Sequence, residues 1–366
     1  MPLYLTALRW KGAAPPRSAR DCDLRGLGNR GKWPNYVGMT TRRTFLAATA
    51  AACAMPALLR AQSGPVADLD TAISDLTQLH SLQVRRGDTV VFAKAPRGPG
   101  LDRLANIKSC SKSVVALLLG TAIARGEIAS VGATLAEVAP GILPADATPG
   151  AGDITMEDLV TLRAGLERTS GPNYGEWVSS RNWLANALRR PMVAEPGQRM
   201  LYSTGSTHIL GAALAEATGQ SLLALARDRL GRPMGIEIPP WTRDPQGYYL
   251  GGNEMALRPT AMLALATMVR DGGSYEGAQV VPQDWIEASG RPRGRSPWSG
   301  MSYGYGWFLT RSGYMLGRGY GGQIIAAHAE RGLAVAITSD PGLPARSQGY
   351  FGALTDLLDG PVLALA

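Results

Sequence analysis

Three short stretches of this chain combine residue types that could do chemistry. The first is Ser109-Cys110-Ser111-Lys112-Ser113, at the head of the apolar run Val114–Leu119. Residues three apart share one face of a helix, so the Ser109 hydroxyl and the Lys112 amine can touch. The positive end of a helix favours an alkoxide and disfavours a proton on a nearby amine. Apolar neighbours such as Val114, Val115 and Leu118 would desolvate the amine further. A lysine so deprived of its proton is a usable base beside its nucleophile. The plain alternative is a serine-rich helix cap with a solvated lysine.

The second stretch is Met200-Leu201-Tyr202-Ser203-Thr204-Gly205, about ninety residues further on. A loop tyrosine near a cationic lysine can share its proton and act as acid or base; alternatively it is a buried tyrosine before a helix over Thr207–Thr218. The third is Gly319-Tyr320-Gly321-Gly322-Gln323, leading into a strand over Ile324–Ala327. Glycines there let a substrate lie against the strand edge, where a backbone N–H can meet a developing oxyanion; alternatively it is a tight turn. Gly317, Gly319 and Gly322 also satisfy G-x-G-x-x-G, but a strand rather than a helix follows, and the dinucleotide reading fails on that context. Gly300-Met301-Ser302-Tyr303-Gly304 is formally G-x-S-x-G. An aromatic strand follows it where a nucleophile elbow needs a helix, so Ser302 is set aside. With three histidines, no HExxH and Cys110 alone after the leader, neither a metal site nor a disulfide within residues 62–366 is expected, and no cofactor is implied.

Elements must hold these groups. Val66–Leu79 has apolar residues at helical spacing and predicts a first helix. Leu82–Val84 and Thr89–Phe92, separated by Arg86-Gly87-Asp88, predict a hairpin. Ser109–Arg125 predicts an apolar helix stopping at Gly126. Residues from 127 to about 290 look mainly helical, broken by loops such as Pro239-Pro240-Trp241 and Gly251-Gly252-Asn253. Tyr303–Leu309, Gln323–Ala327 and Leu333–Thr338 read as strands, and Gly352–Leu358 as a closing helix. Strands at both ends with helices between them imply an α+β fold: one antiparallel sheet built from both chain ends, carrying a helical insertion. Arg168–Trp183, rich in Gly, Ser, Asn and aromatics, reads as a lid loop with Tyr174 as a substrate contact, or as a packed surface loop with core aromatics. His208 and His328 read as structural.

Charge and composition limit the partners. Of 366 residues 45% are hydrophobic and 18% charged, which fits a globular protein and excludes disordered, collagen-like and multi-span membrane chains. Ten of the 37 basic and two of the 29 acidic residues lie within 1–61, so the whole excess of +8 sits there and residues 62–366 are neutral. Nucleic acid is therefore not an expected partner. From Met39 the leader reads Met-Thr-Thr-Arg-Arg-Thr-Phe-Leu, followed by the uncharged stretch Phe45–Leu59. That pattern resembles a twin-arginine signal over 39–61, too short for a stable membrane anchor, and predicts export to the periplasm or beyond. Residues 1–38 show nothing that would build a core and read as an unstructured upstream extension. One domain over 62–366 remains, with its helical part roughly at 127–290.

Ser-x-x-Lys, then Tyr-x-Thr, then a glycine-containing box on a late strand resembles the serine β-lactamase/penicillin-binding superfamily over most of 67–360. The match is to its class C-like branch, with family VIII carboxylesterases and 6-aminohexanoate-dimer hydrolases. The resemblance implies a β-lactamase/transpeptidase-like fold, with Ser109 as nucleophile, Lys112 and Tyr202 jointly as base and proton donor, and the N–H groups of Ser109 and Gln323 as oxyanion hole. Thr204 stands where the family usually has Asn. Tyr320-Gly321-Gly322 stands where lactamases have Lys-Thr-Gly, and no lysine follows Lys112. The expectation is an exported serine hydrolase acting on small ester or amide substrates through an acyl-enzyme. The alternatives are a β-lactamase or D-amino-acid peptidase on the same fold, and a non-catalytic binding module.

Overall fold

In the computed structural model, which describes residues 65–366, the strands from the two ends of the sequence meet in one antiparallel sheet. The leader, and with it the predicted twin-arginine signal, lies outside the described residues. Helix α1 (Pro65–Ser74) precedes β1 (Leu79–Arg86) and β2 (Thr89–Lys94). The short strands β3 (Ala105–Asn106) and β4 (Ala256–Leu257) pair with each other, as do β5 (Ser274–Tyr275) and β6 (Ala278–Gln279). The late strands are β7 (Gly294–Arg295), β8 (Ser302–Tyr303), β9 (Phe308–Leu309), β10 (Met315–Gly319), β11 (Gln323–His328) and β12 (Leu333–Ser339). The large sheet runs β2-β1-β12-β11-β10-β9-β8-β7, so β1 closes against β12 with Leu82 opposite Ile337 and Val84 opposite Val335.

Both faces of the sheet are covered, which is why β11 and β12 are buried throughout and apolar along Ile324–Ala327 and Leu333–Ile337 rather than alternating with polar residues. The side chains of β12 alternate in size. Ile324, Leu333, Val335 and Ile337 face a cluster shared with Leu69 and Ile73 of α1 and with Phe351 and Leu354 of a closing helix, Tyr350–Leu357. Ala327, Ala334 and Ala336 face the other cluster, where the helix Pro259–Arg270 packs with Ala266, Met262 and Leu265. Along β12 branched residues fill one side and alanines let the helix approach on the other, while on β11 Ile325 faces the helix side and Ala326 the opposite one.

Helix α2 (Ser111–Ala124) is buried on all sides from Ser111 to Ala122, as a helix apolar around its whole circumference must be. It stops where Gly126 takes φ +70°, with Gly126 N–H bonding Ile123 O and Glu127 N–H bonding Ala122 O. That is the Schellman arrangement that satisfies a helix's last carbonyls. Helix α3 (Thr204–Thr218) packs beside α2 in the helical part.

Several boundaries differ from expectation: α3 starts at Thr204 rather than Thr207, and the closing helix at Tyr350 rather than Gly352. The first helix ends at Ser74, because Leu79 enters the sheet opposite Ser339. A 3-10 turn, Lys108–Cys110, precedes α2. Tyr303–Leu309 is not one strand but the β8–β9 hairpin, whose turn at Gly306 is anchored by a 2.7 Å hydrogen bond from Ser113 Oγ on α2.

Candidate active site

Ser109 sits half-buried in the 3-10 turn, and α2 brings Lys112 back beneath it one turn later. Lys112 Nζ lies 3.1 Å from Ser109 Oγ, 3.3 Å from Thr204 Oγ1 and 2.6 Å from the carbonyl oxygen of Gly252. The side chain is 3% exposed. Burial pushes its pKa down to about 7 from a lysine's usual 10.5. The amine is thus poised to shed its proton near neutrality.

Tyr202 immediately precedes α3, and its ring centre lies 5.0 Å from Lys112 Nζ. Burial raises the phenol to about 12 against the lowering influence of Ser109 and of the Arg318 charge, so it stays protonated at neutral pH. The ring is stacked on Phe308 at 6.4 Å and meets the exposed Trp298 edge-on at 6.5 Å. Arg168 lies 5.2 Å over the same Trp298 ring.

The head of α3 has no cap from its own N-cap residue, because Ser203 makes no side-chain capping bond. Residues 169 and 170 supply it. Ser170 Oγ accepts from Thr204 N–H at 2.8 Å, and Thr169 Oγ1 accepts from Gly205 N–H at 2.8 Å. Ser170 Oγ also lies 2.9 Å from Thr204 Oγ1, so the cap doubles as a partner for the hydroxyl that meets Lys112. The expected lid over Arg168–Trp183 is therefore a packed segment: it caps α3 and buries Trp177 and Trp183 in the core. Tyr174, at the start of a short helix, accepts a 3.0 Å hydrogen bond from Asn253 Nδ2.

The third box forms the tight turn between β10 and β11, with Gly319 opposite Gln323. β10 pairs with β9 only at Met315 and Leu316, which leaves Gly317–Gly319 as an open edge beside the nucleophile's turn. A Cβ on Gly319 would lie 2.3 Å from Ile107 O, so only glycine lets strand and turn approach so closely. Tyr320 is 54% exposed at the rim, while Gly321, Gly322 and Gln323 are buried. Gln323 braces the turn: its amide donates to Ser339 O at 2.8 Å and accepts from Ser339 N–H at 3.1 Å. Its carbonyl takes the Cys110 thiol at 3.4 Å, and burial holds that thiol far above its usual range, in the neutral form. Arg318 is committed elsewhere, donating to Ala345 O at 2.8 Å and Ser347 Oγ at 3.1 Å with Phe351 stacked against it.

Sequence reasoning missed the segment Gly251–Met255, in which every residue grips the site. Gly251 N–H donates to His208 Nδ1 at 3.4 Å, and Gly252 supplies the carbonyl on Lys112. Asn253 holds Tyr174, and Glu254 accepts from Lys108 Nζ at 3.0 Å and Asn106 Nδ2 at 2.6 Å. Met255 N–H donates to Ser111 Oγ at 3.2 Å, and Met255 O accepts from Ile107 N–H at 2.9 Å. Gly251-Gly252-Asn253 signals a loop in the sequence, but a peptide carbonyl carries no residue-type signature.

The fold matches many solved structures. A Bacillus anthracis protein assigned as a 6-aminohexanoate-dimer hydrolase superposes with TM-score 0.68 at 15% identity, covering 81% of each chain. EstCE1, a hydrolase with promiscuous acyltransferase activity, gives 0.65 at 16%, covering 81% of this chain and 98% of its own. The octameric penicillin-binding protein homologue of Pyrococcus abyssi gives 0.64 at 18%, covering 81% and 78%. No curated protein matches the sequence. The family model described as Beta-lactamase matches residues 81–350, and the chain, with its antiparallel eight-stranded sheet and helical insertion, belongs to the β-lactamase family.

Proposed function

We propose that the protein is an exported serine hydrolase that cleaves esters or amides through an acyl-enzyme on Ser109. The observation that carries this is the surroundings of Lys112 Nζ. The Gly252 carbonyl can only accept, so one N–H of a neutral Lys112 points there. Thr204 Oγ1, free to donate to Ser170 Oγ, accepts the second. The lone pair then faces the Ser109 hydroxyl.

In the proposed acylation, Lys112 takes the Ser109 proton while Oγ bonds to the substrate carbonyl carbon, whose π pair moves to oxygen. N–H groups of Ser109 and of the Tyr320–Gln323 turn hold that oxyanion. As the tetrahedral centre collapses, the bond to the leaving group breaks and Tyr202 supplies its proton; the proton on Lys112 restores the phenol. Water then repeats the sequence on the acyl-enzyme. Thr204 and Tyr174 line the approach, Tyr174 through its ring because Asn253 engages its hydroxyl. The aromatic rim of Trp298 and Tyr320, and an Arg318 already bonded to the 345–347 loop, favour neutral substrates over carboxylate-bearing β-lactams or peptides. Arg42-Arg43 before Phe45 supports export; replacing both with lysine should retain the protein in the cytoplasm.

The test is incubation with a fluorophosphonate probe, a p-nitrophenyl ester, nitrocefin and a linear 6-aminohexanoate dimer, alongside Ser109→Ala. Ser109-dependent labelling with ester or amide turnover is expected. Turnover of nitrocefin alone supports the lactamase alternative, and absence of labelling supports a binding module.

A further inference from the structure

The segment that presents the Gly252 carbonyl is itself held by a buried pair. His208, on α3, and Asp244 have fully buried side chains, with His208 Nε2 3.0 Å from Asp244 Oδ2. Asp244 Oδ1 accepts from Gln246 N–H at 2.9 Å and Tyr248 N–H at 2.8 Å. Gly251 N–H is a donor aimed at His208 Nδ1, so Nδ1 must accept and the ring proton must be on Nε2, facing Asp244. The three donors together satisfy the buried carboxylate. Trp177 and Trp183 flank the ring edge-on at 5.8 and 5.9 Å. The peptide between Leu250 and Gly251 is gripped on both sides, since Trp241 Nε1 donates to Leu250 O at 2.9 Å. Two residues further along is the carbonyl of Gly252, on Lys112 Nζ.

We infer that His208 and Asp244 are positioning residues for the reaction at Ser109. Asp244 fixes the His208 tautomer, His208 fixes Gly251, and Gly251 sets the carbonyl that orients the Lys112 amine. The inference rests on Lys112 being the proton acceptor. It makes α3 the common reference for the site, because the helix that carries His208 begins at Thr204, two residues after Tyr202.

Three substitutions separate positioning from packing. Asp244→Asn keeps shape, but its amide oxygen must stay on the two backbone N–H groups, so its NH2 faces His208 Nε2. The ring must then carry its proton on Nδ1, against the Gly251 N–H. His208→Asn places an amide oxygen where Nδ1 stood and keeps the Gly251 bond, while leaving Asp244 Oδ2 without its donor. His208→Gln keeps the donor to Asp244 and loses the Gly251 acceptor.

Each variant is titrated with a fluorophosphonate, so that rates are per competent site, and assayed for kcat and KM on an ester that the wild type turns over. Melting temperatures are measured in parallel. Asp244→Asn and His208→Gln should lose kcat by about 100-fold, the scale of a roughly 1 Å misplacement, with KM changed less than about threefold. His208→Asn should keep kcat within about threefold of wild type while melting lower, because a buried oxygen has lost its donor. Activity and stability then rank in opposite orders. If kcat follows melting temperature across the set, or Asp244→Asn is as active as wild type, the inference is overturned. Should Asp244→Asn not fold, the two His208 variants decide: Asn above Gln supports it, Gln equal or above refutes it. Wild type that fails to label at Ser109 overturns the hydrolase reading and this inference together; labelled wild type with packing-like variants overturns the inference alone.

Discussion

Replacing Lys112 with methionine should abolish turnover and yet remove a stability burden that varies with pH. The lysine is 3% exposed, and burial holds its pKa at about 7 against a usual 10.5. Below pH 7 both folded and unfolded chains carry the proton, and the folded state bears the whole penalty, about 5 kcal/mol at 1.36 kcal/mol per pH unit. Between the two values the unfolded chain binds a proton that the folded one does not, so stability rises with pH. At about pH 9 a gap of roughly 1.5 units remains, worth about 2 kcal/mol. Lys112→Met has no such dependence, while groups such as Tyr202 titrate in both proteins and cancel in the difference. Urea denaturation of both proteins from about pH 6 to about pH 9 should therefore show the stability difference moving by about 3 kcal/mol in favour of wild type. The absolute offset also contains the lost partners of Gly252 O and Thr204 Oγ1, but these do not titrate. Parallel curves would refute the reasoning, because a lysine without a depressed pKa in the folded state is no base at neutral pH.

The same depression sets the pH–rate profile: kcat/KM on a neutral ester should rise through an apparent pKa near 7 as Lys112 loses its proton, and a profile flat from pH 5 to 9 would contradict it. Gly252→Ala puts a Cβ 2.8 Å from Thr204 O and 3.2 Å from Lys112 Nζ, so the carbonyl must shift; kcat should fall by roughly 10- to 100-fold at unchanged Ser109 labelling stoichiometry. Ser170→Ala removes the cap on Thr204 N–H and should lower stability by about 1 kcal/mol in urea melts, with a kcat loss through the freed Thr204 hydroxyl.

What the sequence made legible follows from where the signals are local. Ser109, Lys112 and Tyr202 meet because helical spacing and a strand-to-helix order are written in the chain, and β11 and β12 announce themselves as apolar runs. The hairpin within 303–309 was hidden because its break depends on a bond from Ser113, far away in sequence. For Arg168–Trp183 the sequence left lid and packed loop open, because its Thr and Ser cap a helix that begins about thirty residues later. His208 reads as a helix residue in the sequence, and only Asp244 and Gly251, brought in by tertiary folding, give its two nitrogens distinct partners.

The atom that accepts from Lys112 at 2.6 Å is a main-chain oxygen, and no codon change removes it. A side-chain acceptor can be lost in one substitution; this one persists whatever residue is encoded, provided the chain keeps its course. Length joins identity as a vulnerable variable between Asp244 and Met255. A residue inserted or deleted there slides the carbonyl off the amine while leaving every catalytic side chain in place. Substitution libraries would pass over that route to altered activity, and loop-length libraries would find it.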